Sequence, residues 1–429
     1  MKPYAQMSRD ELRAEYEMLA ARFQNIKTKK LKLDMSRGKP SRAQLDLSDE
    51  MMDVLESKSY FNDETGTDCR NYGILRGIPE AKRLMGAMSE VAPDDMIIYG
   101  NSSLNIMFDM VAKSFSHGVC GATSWCRLDK VKFLCPVPGY DRHFRITEYF
   151  GIEMINIPMS EDGPDMDMVE AYVQSDPAVK GIWCVPKYSN PQGYSYSDET
   201  VRRFAALKPA AEDFRIYWDN AYSIHHLYDD PEEQDIILEL LDECRKAGNP
   251  DMVYKFISTS KVTFPGSGIA AVAASQRNLN DIESHMKVQT IGHDKMNQLR
   301  HVRFFGNIAN MHEHMSLHAQ ILRPKFESLD RILEENLGGL EIGTWTKPRG
   351  GYFVSFDSLD GCAKAIVAKC EEAGVKLTPA GATYPYGRDP HDKNIRIAPS
   401  FPELKELIRA AEIFTLSVKM VSAEKFLLS

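Results

Sequence analysis

VYKFISTSKVTFPGSG, residues 253–268, sets a lysine just past the end of an apolar run. The first five residues, 253–257, are mostly β-branched or aromatic, the composition of a buried strand. Ser258, Thr259 and Ser260 follow, then Lys261, then a segment containing Pro265, Gly266 and Gly268. A lysine in that place has two readings. On an open loop it is a solvated cation. If the fold desolvates it, the amine is held neutral and becomes a nucleophile near pH 7. The serines and glycines around it offer hydroxyl and backbone donors suited to a phosphate.

Other apolar runs end in ligand-type residues as well. WDNAY, residues 218–222, places Asp219 at the C-terminal end of a candidate parallel strand, where α/β proteins bind ligands. Asp219 is a helix cap or the partner of a protonated ring nitrogen, and Tyr222 lies three residues on, within reach of a phenolate oxygen. SNPQG, residues 189–193, is a turn whose Asn190 amide can donate to a ring oxygen. YGNSSLNIMFD, residues 99–109, reads as strand, turn and helix. It puts the backbone amides of Ser102 and Ser103 at a helix N-terminus, either as a plain cap or as an anion site. CPVPGYDRHF, residues 135–144, sets Tyr140 after a strand end, packed in the core or stacked on a flat ring.

Seven strand candidates, 96–99, 132–135, 152–157, 181–185, 215–218, 253–257 and 269–273, alternate with helical patterns such as 104–114 and 198–207. That alternation implies an α/β fold with a mainly parallel, doubly wound sheet. After about residue 280 the pattern changes. One long charged helical stretch is expected over 279–335, bridging to a smaller α+β unit. That unit contains GGYFVSFD (350–357), a helix near 361–373, a strand at 394–397 and a terminal helix. Residues 1–30 read as an amphipathic helix and 31–50 as an extended arm or loop. The expected division is 1–55 (N-terminal helix and arm, part of the small domain), 56–315 (large domain) and 316–429 (small C-terminal domain).

The 52 basic and 61 acidic residues give a net charge of −9, without a basic block. That argues against a nucleic-acid binder. No signal-peptide pattern and no apolar run of about 20 residues is present, so a cytosolic protein off the membrane is expected. The eight cysteines form no CxxC pair, and the one histidine pair, His225–His226, points to opposite faces, so no metal site is expected.

Singly these signals are weak, but their order along the chain resembles the fold-type I pyridoxal 5′-phosphate (PLP) enzymes. Within them the chain is similar to class I/II aminotransferases, above all a divergent subgroup of aspartate aminotransferases. The resemblance runs from SRGKPS (36–41) to NIRIAPS (394–400). It implies that Lys261 carries the cofactor as a Schiff base and shuttles the proton, and that Asp219 salt-bridges the pyridinium nitrogen. It further implies that Tyr222 and Asn190 bond the phenolic oxygen and that Tyr140 stacks on the ring. Ser102, Ser103, Ser258 and Ser260 become candidates for the phosphate. Arg396 resembles the clamp on the substrate α-carboxylate, and Gly38 the arm glycine beside the substrate. Tyr72, in NYGILRG, resembles a tyrosine that reaches the phosphate of a neighbouring subunit, which implies a homodimer with shared sites.

One position departs from the pattern. The arginine common eight residues after the lysine is Ile269 here, so Lys295, Arg300 or Arg303 must substitute for it or else form a solvated helix face. The implied activity is transamination between an amino acid and a 2-oxo acid, with aspartate or glutamate as donor. A preference of that kind needs a second cation, from Arg37, Arg142, Arg300 or Arg303. Competing readings are a PLP-dependent β-elimination lyase or decarboxylase. A non-catalytic sensor is the reading from another class, and it would need an N-terminal DNA-binding segment.

Overall fold

The structure is a computed structural model and describes residues 2–428. An eight-stranded sheet forms its centre. Its strands are β1 (Met96–Ile98), β2 (Lys132–Val137), β3 (Glu153–Ser160), β4 (Gly163–Pro164), β5 (Val179–Cys184), β6 (Arg215–Asp219), β7 (Val253–Ser258) and β8 (Ala270–Ala273). The spatial order is β1-β8-β7-β6-β5-β2-β3-β4. The β7–β6–β5–β2–β3 run is parallel throughout, and β8 runs antiparallel to both its neighbours. Strands β5 to β8 are buried along their whole length, as expected where helices cover both faces of a parallel sheet. All seven strand candidates of the sequence fall in this sheet, with ends shifted by up to a few residues.

The helical expectations need two corrections. The stretch 279–335 is three helices, α4 (Gln276–Gln289), α5 (Lys295–Phe305) and α6 (Ile308–Leu337). Local capping breaks it. The Asp294 carboxylate accepts from the Asn297 amide at the start of α5. Gly306 then turns the chain at φ 69°, and Asn307 caps α6 by accepting from the Asn310 amide. Helix α6, 30 residues long, is the bridging helix. Second, the arm at 31–50 is not wholly extended. It contains a short helix, Arg42–Asp46, begun by a capping box in which Gln44 Oε1 accepts from the Ser41 amide at 3.0 Å.

The N-terminal helix α1 (Arg9–Lys27) starts at a Ser8–Glu11 capping box. Its apolar residues Leu12, Leu19, Phe23 and Ile26 join one buried cluster with α6 and the terminal helix α7 (Leu404–Leu428). The same cluster holds the antiparallel sheet β9 (Gly343–Trp345), β10 (Val354–Ser358) and β11 (Asn394–Ile397). The arm strand Leu33–Asp34 pairs in parallel with Val375–Lys376. Met35 then bridges to β11 by accepting from the Ala398 amide at 3.0 Å. Chain ends far apart in sequence therefore meet at the C-terminal edge of the large sheet. No described helix is long and apolar enough to cross a membrane.

Candidate active site

Two adjacent strands of the large sheet deliver the chemistry. Asp219 is the last residue of β6 and pairs with Phe256 of β7, five residues before Lys261. Both side chains line a cavity of about 360 Å³ at the C-terminal strand ends, together with Ser103, Tyr140, Asn190 and Tyr222. Arg396 on β11 and Gly38 on the arm reach the same cavity. The sequence therefore named eight residues that the fold brings together across more than 350 positions.

Burial lowers the pKa of Lys261, and the Asp219 carboxylate opposes that shift. The Lys261 Nζ lies 4.8 Å from the centre of the buried Tyr222 ring and 6.0 Å from that of Tyr352. Its amine is thus walled by aromatic faces, the setting that favours a neutral nucleophile. Behind it, Tyr352 donates to the Lys261 carbonyl at 3.4 Å and receives a hydrogen bond from Gln44 Nε2 at 2.9 Å.

Asp219 is buried, and its two oxygens are used differently. Oδ2 is 3.0 Å from His143 Nε2, whereas Oδ1 has no hydrogen-bond partner. The His143 ring stacks on Trp183 at 4.5 Å and 11°, which fixes its plane. An unpaired buried carboxylate oxygen needs a cationic or N–H partner, and a protonated ring nitrogen supplies one. The neighbours fit a flat heteroaromatic cofactor of that kind. Tyr140 lies at the head of α3 (Asp141–Tyr149) with its hydroxyl pKa raised by burial. Asn190 turns its amide oxygen to Arg396 Nη1 at 3.3 Å, which leaves the donor end of the amide for a ligand.

Arg396 is held but not saturated. Nη1 donates to Asp141 at 2.8 Å and Nη2 to Thr378 Oγ1 at 3.4 Å, while Nε is unpartnered. Its guanidinium lies over the Phe353 ring at 4.9 Å. Phe353 also explains Gly38: a Cβ there would fall 2.2 Å from the ring.

Several expected site residues do not line this cavity in the single chain. Ser102 is the N-cap of the helix α2 (Ser103–His117) without a side-chain capping bond, and only Ser103 lines the cavity. Ser258 and Ser260 hydrogen-bond each other at 3.1 Å outside the lining. Tyr72 is 77% exposed in the single chain and outside the cavity. Ile269, the position of the missing arginine, is packed in the core. None of its three suggested replacements lines the cavity. Lys295 is buried and donates to the Gly73 carbonyl at 3.0 Å, Arg300 bonds Asn297, and Arg303 donates to the Tyr60 carbonyl at 3.2 Å. Of the candidate second cations, Arg37 and Arg142 line the cavity, whereas Arg300 and Arg303 do not.

Sequence reasoning missed His143, Asp141, Phe353, Thr378 and Lys376. Only His143 left a usable signal, because its place three residues after Tyr140 puts both on one helix face. Lys376 and Thr378 sit on a two-residue strand and its exit, with no motif to mark them.

Comparison with known proteins agrees with this geometry. The aspartate amino-transferase family profile matches residues 7–428. An aspartate aminotransferase of Corynebacterium glutamicum is 42% identical over 412 residues, covering 96% of this chain and 94% of that one. A crystal structure of an aspartate transaminase from the same organism superposes with a TM-score of 0.95 at 40% identity, covering 99% of both chains. An α-aminoadipate aminotransferase of Thermus thermophilus, 18% identical over 94% of this chain and 97% of its own, shares the fold at a TM-score of 0.71. With a desolvated lysine, a buried aspartate lacking one partner and an arginine over the same cavity, the chain belongs to the aspartate amino-transferase family and is a PLP-dependent aminotransferase of fold type I.

Proposed function

We propose that this aminotransferase prefers dicarboxylic substrates, exchanging the amino group of aspartate or glutamate with a 2-oxo acid. The observation that carries the proposal is the charge around the cavity: Arg37, Arg142 and Lys376 line it in addition to Arg396. One arginine accounts for the α-carboxylate that every amino acid carries. A further cation beside it can meet a second carboxylate on the substrate. The Corynebacterium relative that is an aspartate aminotransferase supports the same reading.

In this reading each residue has a defined task. When bound, the cofactor would supply an electron sink for bond breaking at the substrate Cα. Lys261 would hold the cofactor, and its amine would move the proton at the substrate Cα. Asp219 keeps a positive charge on the ring nitrogen, and His143 orients Asp219. Tyr222 and Asn190 donate to the ring oxygen, Tyr140 covers the ring face, and Ser103 at the head of α2 offers its amide to the phosphate. Ser102, Ser258 and Ser260 remain candidates for the same phosphate. Arg396 receives the α-carboxylate, and Gly38 leaves room for the substrate.

The proposal extends to assembly. The enzyme acts as a homodimer in which Tyr72 serves the neighbouring phosphate, in keeping with its exposure in the single chain. Residues 1–55 and 316–429 form the small domain and 56–315 the large one, the grouping that the shared apolar cluster of α1, α6 and α7 supports. A cytosolic setting is part of the same reading. Mixing inactive Tyr72→Ala with inactive Lys261→Ala chains should restore activity, because one site of a hybrid dimer is intact. No recovery in verified hybrids would mean that each site is built from one chain. The substrate assignment is tested by comparing kcat/KM for aspartate, alanine and phenylalanine. Aspartate should lead by about 10- to 150-fold, the worth of one further charge-assisted hydrogen bond. Parity would overturn the dicarboxylate preference.

A further inference from the structure

One side-chain amide on the N-terminal arm is wired to the backbone of the lysine loop. Gln44 belongs to the short helix Arg42–Asp46 and is fully buried. Its Oε1 accepts from the Ser41 amide at 3.0 Å and from Ser41 Oγ at 3.3 Å. The backbone donor fixes which way the side chain faces, because a flipped amide would set N–H against N–H. The Nε2 end is therefore the donor end, and it has two partners. It donates to the Tyr352 hydroxyl at 2.9 Å and to His318 Nδ1 at 3.1 Å.

Those two bonds decide the protons beyond them. A hydroxyl that receives from Gln44 keeps its own proton for another acceptor, and the Tyr352 hydroxyl lies 3.4 Å from the Lys261 carbonyl. A neutral imidazole that accepts at Nδ1 carries its proton on Nε2, and His318 Nε2 lies 3.1 Å from the Val262 carbonyl. Burial keeps that ring neutral by pushing it down to about 3. Donation thus runs outward from Gln44 along two branches that end on consecutive carbonyls, those of Lys261 and Val262. Gln44, Tyr352 and His318 are each at most 1% exposed, so water does not compete for these bonds. The Tyr352 ring is held separately by packing. It stands 6.0 Å from Lys261 Nζ and meets the His225 ring edge-on at 5.8 Å and 74°.

We propose that Gln44 is a positioning residue for Lys261, acting through Tyr352 and His318 on the backbone that carries the amine. The inference rests on the reading of Lys261 as the base that moves the substrate proton. A lysine amine rides on a flexible four-carbon stem, so its aim depends on a fixed backbone beneath it. Gln44 fixes that backbone from the same arm that brings Arg37 and Gly38 to the cavity. The base and one wall of the substrate cavity are thereby set by a single segment.

The test uses holoenzyme with Tyr352→Phe, which removes the hydroxyl and keeps the ring, and Gln44→Met, which keeps the bulk and removes both donors. Single-turnover reaction with aspartate is followed by absorbance, with α-deuterated aspartate alongside. Tyr352→Phe should slow the reaction about fivefold with half-saturation within about twofold of the parent, one hydrogen bond lost in the reaction and not in binding. The deuterium effect should be no smaller than the parent's. Gln44→Met should slow the reaction at least as much, because it stands above both branches, and the double variant no more than Gln44→Met alone. The visible circular dichroism of the bound cofactor, which needs no turnover, should weaken in both. An unchanged rate or an unchanged dichroism overturns the proposal, and Tyr352→Phe decides both if Gln44→Met does not fold. A smaller deuterium effect also overturns it, since the slowed step would not be the proton transfer. Single losses that multiply overturn it too, since Gln44 and Tyr352 would then act apart. Turnover that survives in Lys261→Ala would instead overturn the reading of Lys261 as the base, and this inference with it.

Discussion

Asp219 and Lys261 come from the ends of adjacent buried strands, whereas Arg37, Arg142 and Lys376 are exposed side chains on the arm, a helix start and a two-residue strand. On the buried side each group has a fixed neighbour: His143 on Asp219, the Tyr222 and Tyr352 rings around Lys261. On the exposed side several cations share one mouth and none is singled out by a partner that pins it. Burial makes the first set expensive to misplace, so its geometry is determined by packing. Solvent screens the second set, so one cation can stand in for another. Reaction chemistry should therefore fail sharply when touched, and substrate preference should erode by degrees.

The largest expected effect tests the buried side. Lys261→Ala should lower turnover by at least about 10⁴-fold, since general acid–base work alone contributes about 10²–10⁴-fold. Borohydride should no longer fix the cofactor to the chain. Residual turnover within tenfold of the parent would show that another base moves the proton.

Arg396 stands between the two regions, being buried yet lining the cavity. Arg396→Lys keeps the charge and loses the two-pronged geometry. KM for every amino acid should rise by about 10- to 150-fold, with kcat much less affected. A larger fall in kcat than rise in KM would mean that Arg396 acts on the reacting atoms rather than on the carboxylate.

Replacing the exposed cations singly should cost less. Arg37→Ala, Arg142→Ala and Lys376→Ala should each reduce the preference for aspartate over alanine by about tenfold or less, the share of one screened contact. If one of them removes the whole preference, that residue is the second carboxylate's partner and the idea of interchangeable cations fails.

The smallest effect concerns stability. Burial lowers His301 from 6.5 to about 4 and His318 from 6.5 to about 3. His318 is tied by Nε2 to the Val262 carbonyl and by Nδ1 to Gln44, directly behind the lysine loop. Below pH 6.5 the unfolded chain binds a proton at each histidine before the folded chain does. Stability should therefore fall with pH, by about 1.4 kcal/mol per pH unit per histidine, until the folded pKa is reached. Urea unfolding between pH 7 and 5 measures the slope, and His318→Gln should flatten it. An unchanged slope would mean that His318 takes up its proton while folded.

How far the sequence could be read follows the same division. Lys261, Asp219, Asn190 and Tyr140 were legible because each closes an apolar run, and a parallel sheet collects its strand ends at one edge. Arg300 and Arg303 do not line the cavity of the single chain, because a shared helix face says nothing about which way the helix is turned. Lys295 looked like part of a charged surface, yet the Gly73 carbonyl holds it in the interior. The break of 279–335 into three helices turned on single caps, Asp294 and Asn307, which a charged helical pattern masks.

The sequence by itself determined the sheet and the strand-end residues that gather around Lys261, because burial imposes a periodicity that survives in one dimension. Tertiary structure alone decided that Asp141 lies against Arg396, that His143 backs Asp219, and which cations line the cavity. Those pairings join residues 76 and 255 positions apart. No local propensity encodes such a meeting. It arises only when the arm, the three-stranded sheet and the strand ends of the large sheet pack against one another.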